Sequence, residues 1–214
     1  MPYYRRNLPH LQFNGAEYFV TFRLYGSIPY WVIRELKAYH NSLKKKFHKN
    51  ESDLKRKLNR DSFKKIEKYL DKSSNGPQWL RDEAVANIVM DSIHFRDGKK
   101  YDLYAYSIMS NHVHMVFRHI EEENGVKEES SHPLKDFPVT KILSDLKKYT
   151  AKKCNQELER SGHFWQSENY DRLIRNNTEL ENCILYTLNN PVKANLVDTW
   201  ENWPFSYCKP EFID

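Results

Sequence analysis

The sequence predicts an α+β fold, an antiparallel sheet with helices packed on one face. Three observations carry that reading. Strand-like and helix-like segments follow in the order β, α, basic insertion, α, β, β, α, β, α. Two of the strands are joined by three residues, which makes them antiparallel neighbours. The 214 residues include 14% aromatics, enough burial for one sizeable core despite a mean hydropathy of −0.84. The whole chain, 1–214, is therefore expected to be a single domain.

The elements follow in chain order. Glu17 to Tyr25 is rich in β-branched and aromatic residues, stops at Gly26, and reads as a strand. Trp31 to about Phe47 reads as a helix running into a basic block. Ser73 to Pro77 is a loop. Ala84, Val85, Ile88, Val89 and Ile93 form the stripe of a helix over Asp82–Ile93. Tyr101–Ile108 and His112–Arg118 are strands around Met109-Ser110-Asn111. The stretch 121–137 is polar and acidic and is expected to be an exposed loop. Val139 to about Leu158 is a long helix with Ile142, Leu143, Leu146, Tyr149 and Leu158 inward, and Tyr170–Arg175 a short strand. Thr178 is the expected cap of a last helix, with Glu181 completing a capping box, and Pro191 is expected to stop it.

Composition excludes several classes. No apolar run approaches the length of a membrane span, so no membrane partner is expected. The first residues lack the apolar core of a secretory signal. Cys154, Cys183 and Cys208 are odd in number and widely spaced, with no CxxC pair, which points to a reducing, cytoplasmic setting. The net charge of +5 is uneven: Leu43 to Lys72 holds 12 Lys/Arg against 5 Asp/Glu, a local +7. This basic helical insertion, 43–75, is led by Lys44, Lys45 and Lys46. Its apolar residues, among them Phe63, Ile66 and Leu70, recur at helical spacing. It is either a solvated helical face or a surface for nucleic-acid phosphates.

The sharpest local feature is His112-Val113-His114. Strand alternation puts both imidazoles on one side, about 7 Å apart at the backbone, with Val113, Met115 and Phe117 on the other. Two such imidazoles can share a divalent cation, or be two surface histidines of an edge strand. On a water-facing side His112 contributes little packing, so His112→Ala is expected to spare the fold. In the last helix Leu180, Cys183, Ile184, Thr187 and Leu188 form the packing stripe. Tyr186 and Asn190, at i and i+4, stack together off that stripe.

Together these pieces resemble a known family. Met109-Ser-Asn-His112-Val-His114-Met-Val116, the stretch from Tyr186 through Asn190-Pro-Val-Lys193 to Val197, and Trp203-Pro-Phe-Ser-Tyr207 look like single-tyrosine HUH transposases. Among these they resemble the REP-associated tyrosine transposases. Arg5-Arg6 to His10, Tyr18 to Arg23, Gly76 to Leu80, Lys148-Tyr-Thr-Ala151, Phe164-Trp-Gln166 and Tyr170-Asp171 add to the likeness. The resemblance implies a ferredoxin-like central sheet. It also implies Mg²⁺ or Mn²⁺ on His112, His114 and Asn190, with Tyr186 the nucleophile in a metal-dependent cleavage and rejoining of single-stranded or hairpin DNA through a 5′-phosphotyrosine. Ser110 stands where the family often has Pro, and Asn195 where it often has Gly. Tyr170, in Glu168-Asn-Tyr-Asp171, is a rival nucleophile.

The chemistry suits these residues. A cation polarises a scissile phosphate, and three neutral ligands leave it its full charge. A phosphotyrosine conserves the bond energy for rejoining. Arg5, Arg6, Lys44, Lys45, Lys46 and Lys148 are the candidate DNA contacts. Two other readings stay open: a domesticated non-catalytic nucleic-acid-binding protein, and a metal-dependent phosphodiesterase with no covalent step. The target sequence and the choice of monomer or homodimer are left open too.

Overall fold

Three residues, Met109-Ser110-Asn111, turn the chain between its two longest strands, and Met109 N–H closes the turn on the His112 carbonyl at 2.8 Å. The computed structural model describes residues 3–5, 9–46, 51–71, 76–121 and 137–213, and their side chains except at 3–5, 9–11, 40, 43–46, 51–57 and 59. A small hairpin, β1 (Tyr3–Arg5) and β2 (Pro9–Leu11), precedes β3 (Glu17–Arg23). Then come α1 (Tyr30–Lys46), α2 (Glu51–Asp71) and α3 (Glu83–His94). Strands β4 (Tyr101–Ile108) and β5 (His112–His119) lead to α4 (Pro138–Glu157) and β6 (Tyr170–Leu173). The chain ends with α5 (Asn177–Leu188), α6 (Asn190–Lys193) and β7 (Ser206–Cys208). Of the expected exposed loop, 121–137, residues 122–136 lie outside the described residues; Glu121 is exposed, whereas Phe137, at the start of α4, is buried.

The main sheet is antiparallel, in the order β6-β3-β5-β4-β7. Counting only β3, β4, β5 and β6, that is 4-1-3-2 with a helix in each long crossover, the ferredoxin-like arrangement. Strand β7 extends its edge beside β4. Alternation along β5 divides the core. Val113, Met115 and Phe117 pack with Val85, Val89 and Ile93 of α3 and Leu143 and Leu146 of α4. Phe19 and Val116 pack on the other face with Leu180, Cys183, Ile184 and Leu188 of α5. Crossover helices α3 and α4 thus share one face, as the sequence suggests, while α2 and α5 cover the opposite one.

The basic block is the end of α1 together with α2. Leu70 of α2 packs on Ile28, Val32 and Leu36, while Lys64 and Lys68 are exposed. Phe63 turns the other way, onto Phe19 at 5.7 Å between ring centres. No helix of the described residues is long and apolar enough to cross a membrane.

One side chain and two termini differ from the sequence reading. Tyr149, expected inward on α4, is half exposed, with the Arg96 guanidinium 6.0 Å from its ring centre. Asn176, not Thr178, caps α5: its side chain accepts from Glu179 N–H at 2.8 Å, and Glu179 Oε2 accepts from Arg175 N–H at 3.0 Å. Asn176 has the extended backbone a cap requires (φ −159°), whereas Thr178 already lies inside the helix. Pro191 does not stop the helical path. It sits in the first turn of α6, where a missing N–H costs nothing. Asn195 takes φ of +53°, the left-handed region where glycine is cheapest and asparagine is tolerated.

Asn176→Ala is expected to cost about 1 kcal/mol in denaturant unfolding. Thr178→Ala should change stability by no more than a few tenths. Equal losses from the two would refute the cap.

Candidate active site

β5 places His112 and His114 on one face, as alternation requires, with their Nε2 atoms 2.9 Å apart. Each ring is fixed through its other nitrogen: His112 Nδ1 lies 2.6 Å from Asn111 Oδ1, and His114 Nδ1 lies 2.8 Å from Thr21 Oγ1. Asn111 also donates through Nδ2 to the Leu70 carbonyl at 3.3 Å. That contact assigns its oxygen to His112, so His112 Nδ1 carries the proton and Nε2 a lone pair. The Thr21 hydroxyl can donate or accept, and so serves either tautomer of His114.

The histidine face is not wet, which corrects the reading of a water-facing strand side. His112 and His114 are 1% and 0% exposed, because α2 and α5 cover them. Alternation tells which side chains share a face but not what lies over it. Burial, with His114 beside it, pushes the His112 imidazole down to about 3, against a smaller opposing pull from Glu67. It is therefore neutral, the form that ligates metals. His112→Ala would open a hole in a packed layer, so the expectation that it spares the fold does not hold.

The third member is Glu67 of α2. Its carboxylate and the two imidazoles offer ligand atoms within 4.8 Å of one another. Glu67 Oε2 lies 3.3 Å from His114 Nε2 and accepts a hydrogen bond from the Tyr186 hydroxyl at 2.6 Å. Its Oε1 is buried with no partner among the described residues. Burial opposes the charged form, but His114, His112 and the Tyr186 hydroxyl outweigh it and hold the carboxyl below its usual range. Asp71, one helical turn on, is lifted to about 6 by burial and by Glu67, with His114 and Lys193 opposing. Sequence reasoning passed over Glu67 because its block was read for its cations. A signal was present: Glu67 stands on the stripe of Phe63, Ile66 and Leu70, where an acid is out of place on an apolar face.

Tyr186 and Asn190 do come together, but Asn190 is buried rather than presented off the core. Asn190 Nδ2 donates to the Tyr186 carbonyl at 3.0 Å, and its Oδ1 is buried with no partner among the described residues. The Tyr186 ring meets the edge of His114 at 5.5 Å and lies 4.4 Å from Lys193 Nζ. Burial first, then Glu67 and Asp71, raise its hydroxyl well above the ordinary range, so Tyr186 is a phenol here. Tyr170 shares the sheet face but stacks on Phe63 at 4.1 Å, and burial lifts it to about 12. Of the two tyrosines, Tyr186 bonds a member of the triad.

The other expected contacts lie apart. Lys148 is exposed on α4. Lys44, Lys45 and Lys46 are in the last turn of α1 and Arg5 is in β1, all with side chains outside the description, and Arg6 is outside it altogether.

The residues fit a divalent cation. Two imidazoles oriented from behind by Asn111 and Thr21, plus a carboxylate, are a ligating set, and the unpartnered oxygens of Glu67 and Asn190 are acceptors that lack a positive partner. Two nitrogen donors favour Mn²⁺ over Mg²⁺. Mn²⁺ at about a hundred times its dissociation constant is expected to stabilise the protein by about 2.7 kcal/mol, read as a rise in melting temperature. The rise should vanish in His114→Ala and shrink in Glu67→Gln. A rise of full size in both would show that the ion binds elsewhere.

No protein-family model matches the chain. A solved structure described as a REP-associated tyrosine transposase bound to a REP hairpin superposes with a TM-score of 0.48 at 17% identity, over 96% of this chain and 82% of that one. A curated protein of Haemophilus influenzae, named "Putative REP-associated tyrosine transposase", is 24% identical over 111 residues, or 50% of this chain. The chain spans 58% of that relative's length. Across that half, the chain is similar to a curated protein of the family its motifs resemble.

Proposed function

We propose that the chain cuts and rejoins single-stranded or hairpin DNA, with Tyr186 as nucleophile and Mg²⁺ or Mn²⁺ held by His112, His114 and Glu67. The observation that carries this reading is one carboxylate with two neighbours: Glu67 touches both the imidazole pair and the tyrosine hydroxyl. A cation site and a nucleophile a single side chain apart are what attack on a phosphodiester needs. The curated relative's name supports the same class of chemistry.

In the proposed step Tyr186 Oη bonds to phosphorus, and the bond from phosphorus to the 3′ oxygen breaks. A 5′-phosphotyrosine results, and the departing 3′ oxygen takes a proton from solvent to become a free 3′ hydroxyl. Glu67, which already accepts the Tyr186 hydrogen bond, is placed to take the phenol proton. When bound, the cation supplies positive charge to the phosphate and to the departing 3′ oxygen. Asn190 fixes the end of the tyrosine helix and turns Oδ1 inward as a further possible ligand. Rejoining is the reverse attack by a 3′ hydroxyl. The exposed cations of the block, with Lys44, Lys45, Lys46, Arg5, Arg6 and Lys148, are assigned to the phosphate backbone, where charge and not base identity sets affinity.

Labelled single-stranded DNA with Mn²⁺ should give a protein–DNA adduct on a denaturing gel, mapped to Tyr186 by peptide analysis. Tyr186→Phe should lose the adduct altogether while binding changes little. Cleavage without any adduct would show attack by water instead, and attachment at Tyr170 would move the nucleophile. Replacing Lys44, Lys45 and Lys46 by Ala should flatten the slope of log affinity against log salt by about 2 on single strands. An unchanged slope would make the block a solvated face.

A further inference from the structure

On β3 the alternation that sets Thr21 beside His114 also sets Arg23 beside His112. Arg23 and His112 are partners in the β3–β5 register, while Val20 and Phe22 turn into the apolar layer. Such partners stand about 5 Å apart at the backbone. The sheet itself thus delivers a guanidinium next to the imidazole pair, and the reaction as described gives it no task.

Its setting is unusual for an arginine. Nη1 donates to Ser27 Oγ at 3.1 Å and reaches the Leu24 carbonyl at 3.5 Å, and the Ser27 hydroxyl is fixed on that same carbonyl at 2.8 Å. No carboxylate among the described residues lies within ion-pair distance of Arg23. Burial lowers its pKa to about 10, so it is charged at neutral pH. A cation drawn partly into the protein without an acid calls for an anion. The side chain keeps some accessible surface. Its bonds run through Nη1, which leaves Nη2 and Nε as a fork of donors. Arg23 lines a cavity of about 70 Å³ with Thr21, Ser62, Glu67, Glu168 and Asn169. That is more room than a single water needs. Glu67 belongs to the candidate cation site, so the cavity and that site share a wall.

We propose that Arg23 grips a backbone phosphate of the bound strand beside the cation site. The proposal rests on the DNA-cutting reading above and adds a substrate-holding residue to it. A guanidinium fork meets two phosphate oxygens at once, so it fixes the direction of the strand as well as its distance. It reads no base. With the ion drawing one phosphate and Arg23 a second, the strand is held at two points and cannot swing about either. Glu168 lines the same cavity and its Oε2 is buried with no partner among the described residues. As a like charge it opposes the phosphate, which gives its removal a definite sign.

The test is modification of the full, unaltered chain by phenylglyoxal, which attacks arginines, read at Arg23 from peptide masses, in EDTA so that no strand is cut. Arg23 should react in the free protein, and saturating oligothymidylate should slow it about tenfold, as a charged hydrogen-bonded pair predicts. Oligothymidylate with neutral methylphosphonate links should protect little, and so should inorganic phosphate. In anisotropy titrations Arg23→Gln should bind oligothymidylate about tenfold more weakly. It should also flatten the slope of log affinity against log salt by about 0.7, which a merely structural loss would not do. Glu168→Gln should bind more tightly. An Arg23 that is inert in the free protein, that reacts as fast with the strand bound, or that the neutral strand or inorganic phosphate protects equally overturns the proposal. So does an unchanged salt slope in Arg23→Gln. The covalent adduct is measured separately with Mn²⁺. An adduct at Tyr186 with Arg23 unprotected sinks the grip and leaves the cleavage reading standing. A protected Arg23 and a flattened slope without any adduct uphold the grip and sink the cleavage reading.

Discussion

Everything about the site depends on the two-residue repeat of β5 at the middle of the sheet. The repeat sends Val113, Met115 and Phe117 into the apolar layer under α3 and α4, and in the same six residues sends His112, His114 and Val116 to the other face. The strand cannot slip by one residue without putting imidazoles among the aliphatic groups of one face and Val113, Met115 and Phe117 in the polar site on the other. The packing that stabilises the fold therefore also fixes where the two imidazoles stand. Thr21 is held opposite His114 by the β3–β5 register, which brings its hydroxyl to the ring nitrogen without any separate device.

The histidine face could have been left to solvent, and it is not. α2 lays Glu67 over it and α5 lays Tyr186 beside it. Burying a carboxylate is costly unless it is paired, and Glu67 is paired through one oxygen only. Removing a partner from such a group costs about 3–5 kcal/mol, far more than losing a surface ion pair. A site with buried, unpartnered oxygens on both Glu67 and Asn190 departs locally from the rule that buried acceptors are satisfied. Departures of that sort concentrate where a ligand completes the set.

What could be read from the sequence was what is local. The β4–β5 hairpin, the shared face of His112 and His114, and the stripe from Leu180 to Leu188 are set by spacings of two, three and four residues, and the structure shows each of them. The cap of α5 was misplaced by two residues, because Asn176 and Thr178 are both good capping side chains and only backbone conformation separates them. The burial of the histidines was not legible, since it depends on elements far away along the chain. The Tyr186–Glu67 contact joins residues 119 apart. An acid on an apolar helical stripe says that something must meet it, without saying what.

Glu67 changes the electrostatics that the motif alone suggests. With His112, His114 and the amide of Asn190 as ligands, a divalent ion keeps its full charge of two. A carboxylate in the set lowers it to about one, which tightens the ion's hold but weakens its pull on a phosphate. Asp71 weakens that pull further, because with its pKa raised only to about 6 it is mostly ionised near neutrality. The compensation comes from Lys193, whose ammonium lies over the Tyr186 ring and acts on Asp71. It comes also from the exposed Lys64 and Lys68 on the same helix as Glu67. One helix thus carries the acid inward and the cations outward. In the proposed reaction the acid would hold the ion and accept the tyrosine proton, and the cations would draw a polyanion to the surface above them. The basic block and the acidic residue that its charge count obscured are two faces of one element, which is why neither is understood without the other.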